Sequence, residues 1–169
     1  SPVLVAFDYD ATQSAEMDVT ARLLLRHLAA RQAKVKIVSL YPTGPAVAQS
    51  LVEHRKPTIT GTAQLNVGSL GYVPGQDMGV VFIQGHVVSA SLVIALAATP
   101  ETVRWWAEQM TAHTSEKPLL VGVSAAAEPM SQPYYYSNRS NGMRQVTGMM
   151  VSVPDAAAFA GRVLAFPDV

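Results

Sequence analysis

The chain has 169 residues, with twelve Lys and Arg against twelve Asp and Glu, and no cysteine. Disulfides, thiol catalysis and thiolate metal sites are therefore excluded, and the dispersed, balanced charges give no electrostatic footprint for nucleic acid or anionic lipid. A hydrophobic fraction of 49% with 14% charged residues excludes disorder, and the length suits one core rather than two.

Val3 to Phe7 is a continuous apolar, β-branched run, the pattern of a strand buried on both faces. Ser14 then reads as a helix N-cap, with Glu16 and Asp18 favourably placed in the first turn. Met17, Ala21, Leu24 and Leu28 supply one apolar face. Val35 to Leu40 predicts a second strand, Tyr41-Pro42-Thr43-Gly44-Pro45 a turn, and the residues from Ala46 to just before Pro57 a second helix. Thr58 to Gln76, rich in glycine, predicts a long irregular connection. From Asp77 to Ile83 the run is too short for its period to separate helix from strand.

Leu92 to Ala97 predicts the next strand. Thr99 as N-cap, Pro100 at the first helical position and Glu101 in the first turn open a helix that runs to about His113. Leu119 to Val123 predicts another buried strand, followed by a loop dense in proline and tyrosine from Met130 to Tyr136. Helices from Asn141 to Val151 and from Asp155 to Phe166 complete the chain. The alternation predicts a single three-layer α/β domain, Rossmann-like or flavodoxin-like, with a mainly parallel sheet. The longest apolar run, Val87 to Ala98, is too short to cross a bilayer and reads as core.

In such a sheet, ligands bind outside the carboxyl ends of the strands, where strand order reverses. That rim gathers Asp8, Asp10 and Thr12 after the first strand, Thr43 after the second, and Ser124, Glu128, Tyr134 and Tyr135 after Leu119 to Val123. These are the expected ligand-binding residues, for a small molecule or a protein partner. Three consecutive tyrosines point in different directions, so some cover the rim as a lid or contact surface, or pack over the core edge. The isolated His27, His54, His86 and His113 give no zinc or iron spacing, and neither G-x-G-x-x-G nor a P-loop occurs. His27 and His54 are expected on helix surfaces. Ser124 lacks the second glycine of a hydrolase elbow and reads as a structural serine. Met143, Met149 and Met150 suggest a helix apolar on more than one side.

Asp8-Tyr9-Asp10-Ala11-Thr12 resembles the first motif of the haloacid dehalogenase-like phosphotransferases, a strand ending in D-x-D-x-T. The resemblance implies Asp8 as nucleophile, Asp10 as general acid/base, Ser124 as a phosphate-binding hydroxyl and Mg2+ as cofactor. The rest of that pattern is missing: no lysine follows Ser124, though Arg139 or Arg144 could stand in, and Asp155 and Asp168 form no acidic pair. The competing reading is that Asp8 and Asp10 close a strand by bonding nearby amides in the turn. It requires no catalytic residue and no cofactor.

The Phe7-Asp8-Tyr9-Asp10 exit, Leu70-Gly71-Tyr72-Val73-Pro74-Gly75, and Ser124-Ala125-Ala126-Ala127-Glu128-Pro129 with Pro133-Tyr134-Tyr135 look like an uncharacterised group of bacterial membrane-associated proteins. In that group a soluble α/β domain sits beside transmembrane segments. The resemblance implies a tethered domain, extracytoplasmic or, as the alternative, cytoplasmic, and agrees with a chain that opens on Ser1 and enters a strand almost at once. It brings no known activity. A non-catalytic binding or interaction domain is the leading expectation, with a metal-dependent phosphohydrolase using Asp8 and Asp10 as the alternative.

Overall fold

The computed structural model describes residues 1–53, 65–114, 116–138, 140 and 142–165, without the side chains of 160–165. His54, Pro57, Arg139, Asn141 and Phe166, all used in the sequence reading, lie outside the described residues. Six strands form one sheet: β1 (Val3–Asp8), β2 (Lys34–Ser39), β3 (Asn66–Tyr72), β4 (Leu92–Ala97), β5 (Leu119–Val123) and β6 (Gly148–Val151). Their order is β3-β2-β1-β4-β5-β6 and every pairing is parallel. This is the doubly wound Rossmann order, which reverses direction between β1 and β4. The fold is thus a three-layer, Rossmann-like α/β fold, as the alternation predicted.

Strand periodicity sorts the core into two layers. Val5 and Phe7 face one side with Ile37, Ile94 and Leu96, beneath α1 (Ser14–Ala30) and α2 (Gly44–Glu53). Leu4 and Ala6 face the other with Val38, Val93 and Ala95, beneath α3 (Asp77–Phe82), α4 (Gln84–Ser89) and α5 (Pro100–His113). Register fixes this sorting, because a one-residue slip would exchange the faces of a whole strand; Val5 lies level with Ile37 on one side and Ile94 on the other.

Several local expectations are corrected. Gln13, not Ser14, is the N-cap of α1, and α2 starts at Gly44 rather than near Ala46. Thr58 to Gln76 is not irregular throughout, since Asn66–Tyr72 is the edge strand β3; Gly68, Ser69 and Gly71 had broken up its apolar run. Asp77 to Ile83 resolves as helix α3. The proline-tyrosine tract is not a loop but α6 (Glu128–Tyr136), entered through Pro129 and carrying Pro133 inside it. The helix expected up to Val151 is instead β6, in register with Leu120 to Val123 and preceded by a bridge between Asn138 and Arg144. Val146, Thr147 and Val151 favour extended backbone, and tertiary pairing decided the outcome. The last helix, α7, spans Ser152–Ala165. No helix among the described residues is long and apolar enough to cross a membrane.

At the exit of β2, Ser39 Oγ donates to Phe7 O at 2.6 Å and accepts from Tyr41 N at 2.9 Å. Gly44 packs directly on this knot: a Cβ there would stand 2.0 Å from Ser39 Oγ and 2.2 Å from Phe7 O. A backbone carbonyl cannot swing away as a side-chain tip can. Gly44→Ala should therefore destabilise the fold by roughly 2–4 kcal/mol, measured as a lower urea midpoint. A change below about 0.5 kcal/mol would show that the α2 entrance tolerates the methyl.

Candidate functional site

The carboxyl ends of β1 and β4 meet at the reversal of strand order, where Ala98 N reaches Asp8 O at 3.4 Å. Asp8 closes β1 with its side chain on the α5 side of the sheet, and none of it is exposed. Its Oδ1 accepts the Leu40 amide at 2.7 Å and its Oδ2 accepts the Trp106 indole N–H at 2.6 Å. Ser39 Oγ lies 3.4 Å from Oδ1. One carboxylate therefore joins three elements: its own strand, the chain leaving β2, and α5. Burial raises the Asp8 carboxyl from 3.8 to about 6, while the Leu40 amide, the Trp106 indole and the Ser39 hydroxyl pull it down.

The neighbouring residues face the other layer or the rim. Tyr9 is buried, its hydroxyl donating to Asp18 Oδ1 at 2.9 Å; burial, and then the nearby Asp18 charge, raise the phenol far above its usual range. Asp10 lies at the rim, where its Oδ1 accepts both the amide of Thr12, at 2.7 Å, and the Thr12 hydroxyl. Those two bonds, the hydroxyl first, hold Asp10 below the usual carboxylate range. The Asp10 amide donates to Gln13 Oε1 at 2.9 Å. These bonds make the turn from strand to helix out of the chain's own side chains. In dinucleotide-binding folds this turn leaves amides free for a pyrophosphate. Here a carboxylate occupies one of them.

Across the reversal, the α1 carboxylate of Glu16 accepts the Ala125 amide at 2.7 Å, drawing the exit of β5 against the first helix. Ser124 Oγ donates to Ala98 O at 2.8 Å and accepts the Ala127 amide at 3.2 Å, which ties β5 to β4 and opens the turn into α6. Both bonds stay within the protein. On the β2 side, the Tyr41 hydroxyl lies 3.3 Å from Thr99 Oγ1 and 3.4 Å from Thr102 Oγ1, with the two threonine hydroxyls 3.0 Å apart at the start of α5.

Asp10, Thr12, Thr43, Ser124 and Glu128 thus stand on the carboxyl side of the sheet, as topology requires. Thr43 is exposed, and its carbonyl accepts the first amides of α2. Glu128 accepts Gln132 Nε2 at 3.1 Å within α6. Tyr134 and Tyr135 lie further along α6, where Val146 N reaches Tyr134 O at 3.1 Å as the chain approaches β6. The Tyr134 hydroxyl donates to Glu108 Oε1 at 3.1 Å, and the Arg144 guanidinium stacks 4.7 Å from the Tyr135 ring. Through these contacts Tyr134 joins α6 to α5, and Tyr135 meets the segment before β6. Sequence reading missed the indole partner of Asp8 and the Tyr41 hydroxyl. No local signal links Trp106 to a carboxylate 98 positions earlier.

Among the described residues, no group of three or more His, Asp or Glu side chains is placed to hold a metal ion. No family model and no curated protein sequence matches the chain.

Two outcomes test the Asp8 bridge. Trp106→Phe keeps most of the packing but leaves one buried carboxylate oxygen without its donor, which should cost about 2–3 kcal/mol in urea denaturation; an unchanged midpoint would show that the indole bond is unimportant. The raised carboxyl also fixes a pH dependence. Its contribution to stability is fully present below 3.8 and lost as the pH rises through about 6. The stability of the wild type relative to Asp8→Asn should therefore increase by about 2 kcal/mol from pH 7.5 to 4.5; a flat or opposite trend would reject the raised value.

Proposed function

We propose that this domain is a non-catalytic protein-interaction module whose contact surface is the outward side of α6 together with the acidic rim beside it. The observation that carries the reading is the exposure of Met130 and Tyr136, at 67% and 68%, on one short helix. Pro133, also exposed, lies between them at three-residue spacing, so the three share one broad side of α6. Single apolar residues on a surface need no explanation, but methionine and tyrosine grouped with rigid prolines make an adaptable contact patch at low entropic cost.

Charge gives the patch a direction. Glu128 begins α6, and Asp10 and Glu16 lie across the crevice on the same side of the sheet. A partner presenting an apolar side chain flanked by Lys or Arg would complement both features. Attachment to a membrane through neighbouring segments is part of the proposal and rests on the family resemblance.

The alternative, a metal-dependent phosphohydrolase, needs the Asp8 carboxylate at a phosphoryl group. In the present arrangement Asp8 is fully buried with an internal donor on each oxygen, and reaching a substrate would mean uncovering it. Binding is the reading that leaves this bridge intact.

A photo-crosslinking amino acid placed at position 136 or 130 should trap a discrete protein adduct in cells, while the same residue at Lys34, on the opposite edge, should not. Equal adducts from all three positions, or none from any, would reject the α6 surface. With a generic phosphomonoester and Mg2+, purified protein should turn over no faster than Asp8→Asn; hydrolysis that disappears in Asp8→Asn would establish the enzyme instead.

A further inference from the structure

The helices α3 and α4 follow one another almost without a break. The Ile83 amide between them donates to Gly79 O at 3.3 Å, and the Val87 amide donates to Ile83 O at 3.1 Å. One side of this unit is core, with Val80, Ile83 and Val87 buried against the sheet. The other side is apolar too: Phe82 is 68% exposed, Val88 52% and Met78 47%. Met78, Phe82 and Gly85 recur at spacings of four and three, and Val88 follows three further on, so they form one outward stripe. A helix that is apolar all round is normally covered on both sides, and here the chain itself covers one. We propose that this stripe is the contact face of a two-fold homodimer, in which the α3 and α4 unit of one copy packs antiparallel on that of the other.

Charge selects a second copy as the occupant. From Leu65 to Thr99 the chain has no lysine or arginine and one acid, Asp77, although at its overall frequency of 14% charged residues such a stretch would carry several. An anionic lipid surface would find no cation there to attract it. The charges that do flank the stripe differ in sign between its ends. Asp77 opens α3, whereas the Lys36 ammonium lies 3.3 Å from His86 Nδ1 beside α4. A two-fold axis across the unit brings the acidic end of each copy to the basic end of the other, and it also sets the two helix dipoles antiparallel. No like charges meet in that arrangement.

The stripe is also built in advance of any contact. Gly75 has φ 108° and Gln76 has φ 54° and ψ −119°, a backbone conformation that residues with a side chain enter only at a cost. This turn sets Phe82 and Met78 together: a Cβ at Gly75 would stand 3.4 Å from Phe82 Cε2 and 3.5 Å from Met78 Cβ. An anchor already held in place loses less freedom on association. The apolar side chains of the stripe expose roughly 300 Å² in all, taking about 150–250 Å² for a whole large side chain. With a polar margin, two such faces bury on the order of 1,200 Å², the low end for a specific interface. The dimer is therefore weak and concentration-dependent. Because α5 stands between α3 and α6, the pairing leaves the α6 surface open.

Sedimentation equilibrium of the intact chain tests the proposal between roughly 10 µM and 1 mM, a range that brackets the affinity of a small interface. The average mass should rise from one chain toward two and go no higher. Phe82→Glu places a carboxylate within the contact in both copies and should raise the dissociation constant at least tenfold, while Tyr136→Glu on α6 should leave it unchanged. If circular dichroism shows Phe82→Glu to be unfolded, Val88→Glu on the same stripe takes its place. A wild type that stays monomeric at the highest concentration, a mass that climbs beyond two chains, or a dimer that survives in the folded stripe variant would each overturn the proposal. So would a monomer that co-sediments with phosphatidylcholine vesicles only while Phe82 is intact, since that result makes lipid the occupant.

Discussion

The architecture turns on one buried carboxylate. Asp8 stands where strand order reverses, the one place in a doubly wound sheet where the two halves diverge and leave a crevice between them. Its two oxygens take one donor from each side: the Leu40 amide from the β2 half and the Trp106 indole from the β4 half. A neutral side chain of the same size could not accept both bonds equally well, because an amide would present N–H to one of the donors. The cost of removing the charge from water is visible in the raised carboxyl, and two charge-assisted bonds offset only part of it. The Ser39 hydroxyl and the close packing of Gly44 then fix the β2 exit on which the Leu40 amide depends.

Parallel topology has a second consequence, in charge. Helices that follow parallel strands start at the carboxyl edge, and carboxylates are stabilised at helix starts. Glu16, Asp77, Glu101, Glu128 and Asp155 all lie in first turns of this kind. Arg31, Lys34 and Lys117 lie near the ends of helices or the starts of strands, on the opposite edge. The rim is acidic for reasons of helix stability, yet any partner meets that field regardless of its origin. An anionic nucleotide would meet Asp10 and Glu16 where a Rossmann fold offers free amides, whereas a cationic or apolar surface would meet no such obstacle.

Much of the layout was legible in the sequence because the buried parallel strands are short unbroken apolar runs. Leu92 to Ala97 and Leu119 to Val123 fall where the runs lie, and the Thr99-Pro100-Glu101 sequence marks the start of α5, although the Thr99 hydroxyl caps no backbone amide there. Legibility failed where packing overrode local pattern. The edge strand β3 is largely exposed and so carries no apolar signature. In α6, Pro129 is tolerated in the first turn and Pro133 inside the helix, a combination that locally reads as a loop. At the rim, the strand-exit position of Asp8 and Asp10 could be read from the chain, but their environments could not: Asp10 bonds within its own turn, whereas Asp8 depends on partners 32 and 98 positions away.

That difference bears on how a D-x-D-x-T strand ending should be weighed. A phosphoryl-accepting aspartate must present an oxygen to substrate and to a metal ion, so the chain around it has to leave donors elsewhere and space in front. The same five residues can instead close a reversal point from within, provided a large donor-bearing side chain arrives from a distant helix. Here the indole of Trp106 occupies the second oxygen, and the Leu40 amide the first. The motif fixes where two carboxylates fall at the strand exit; the long-range donors and the burial they come with set the first of them in the interior, with none of it exposed.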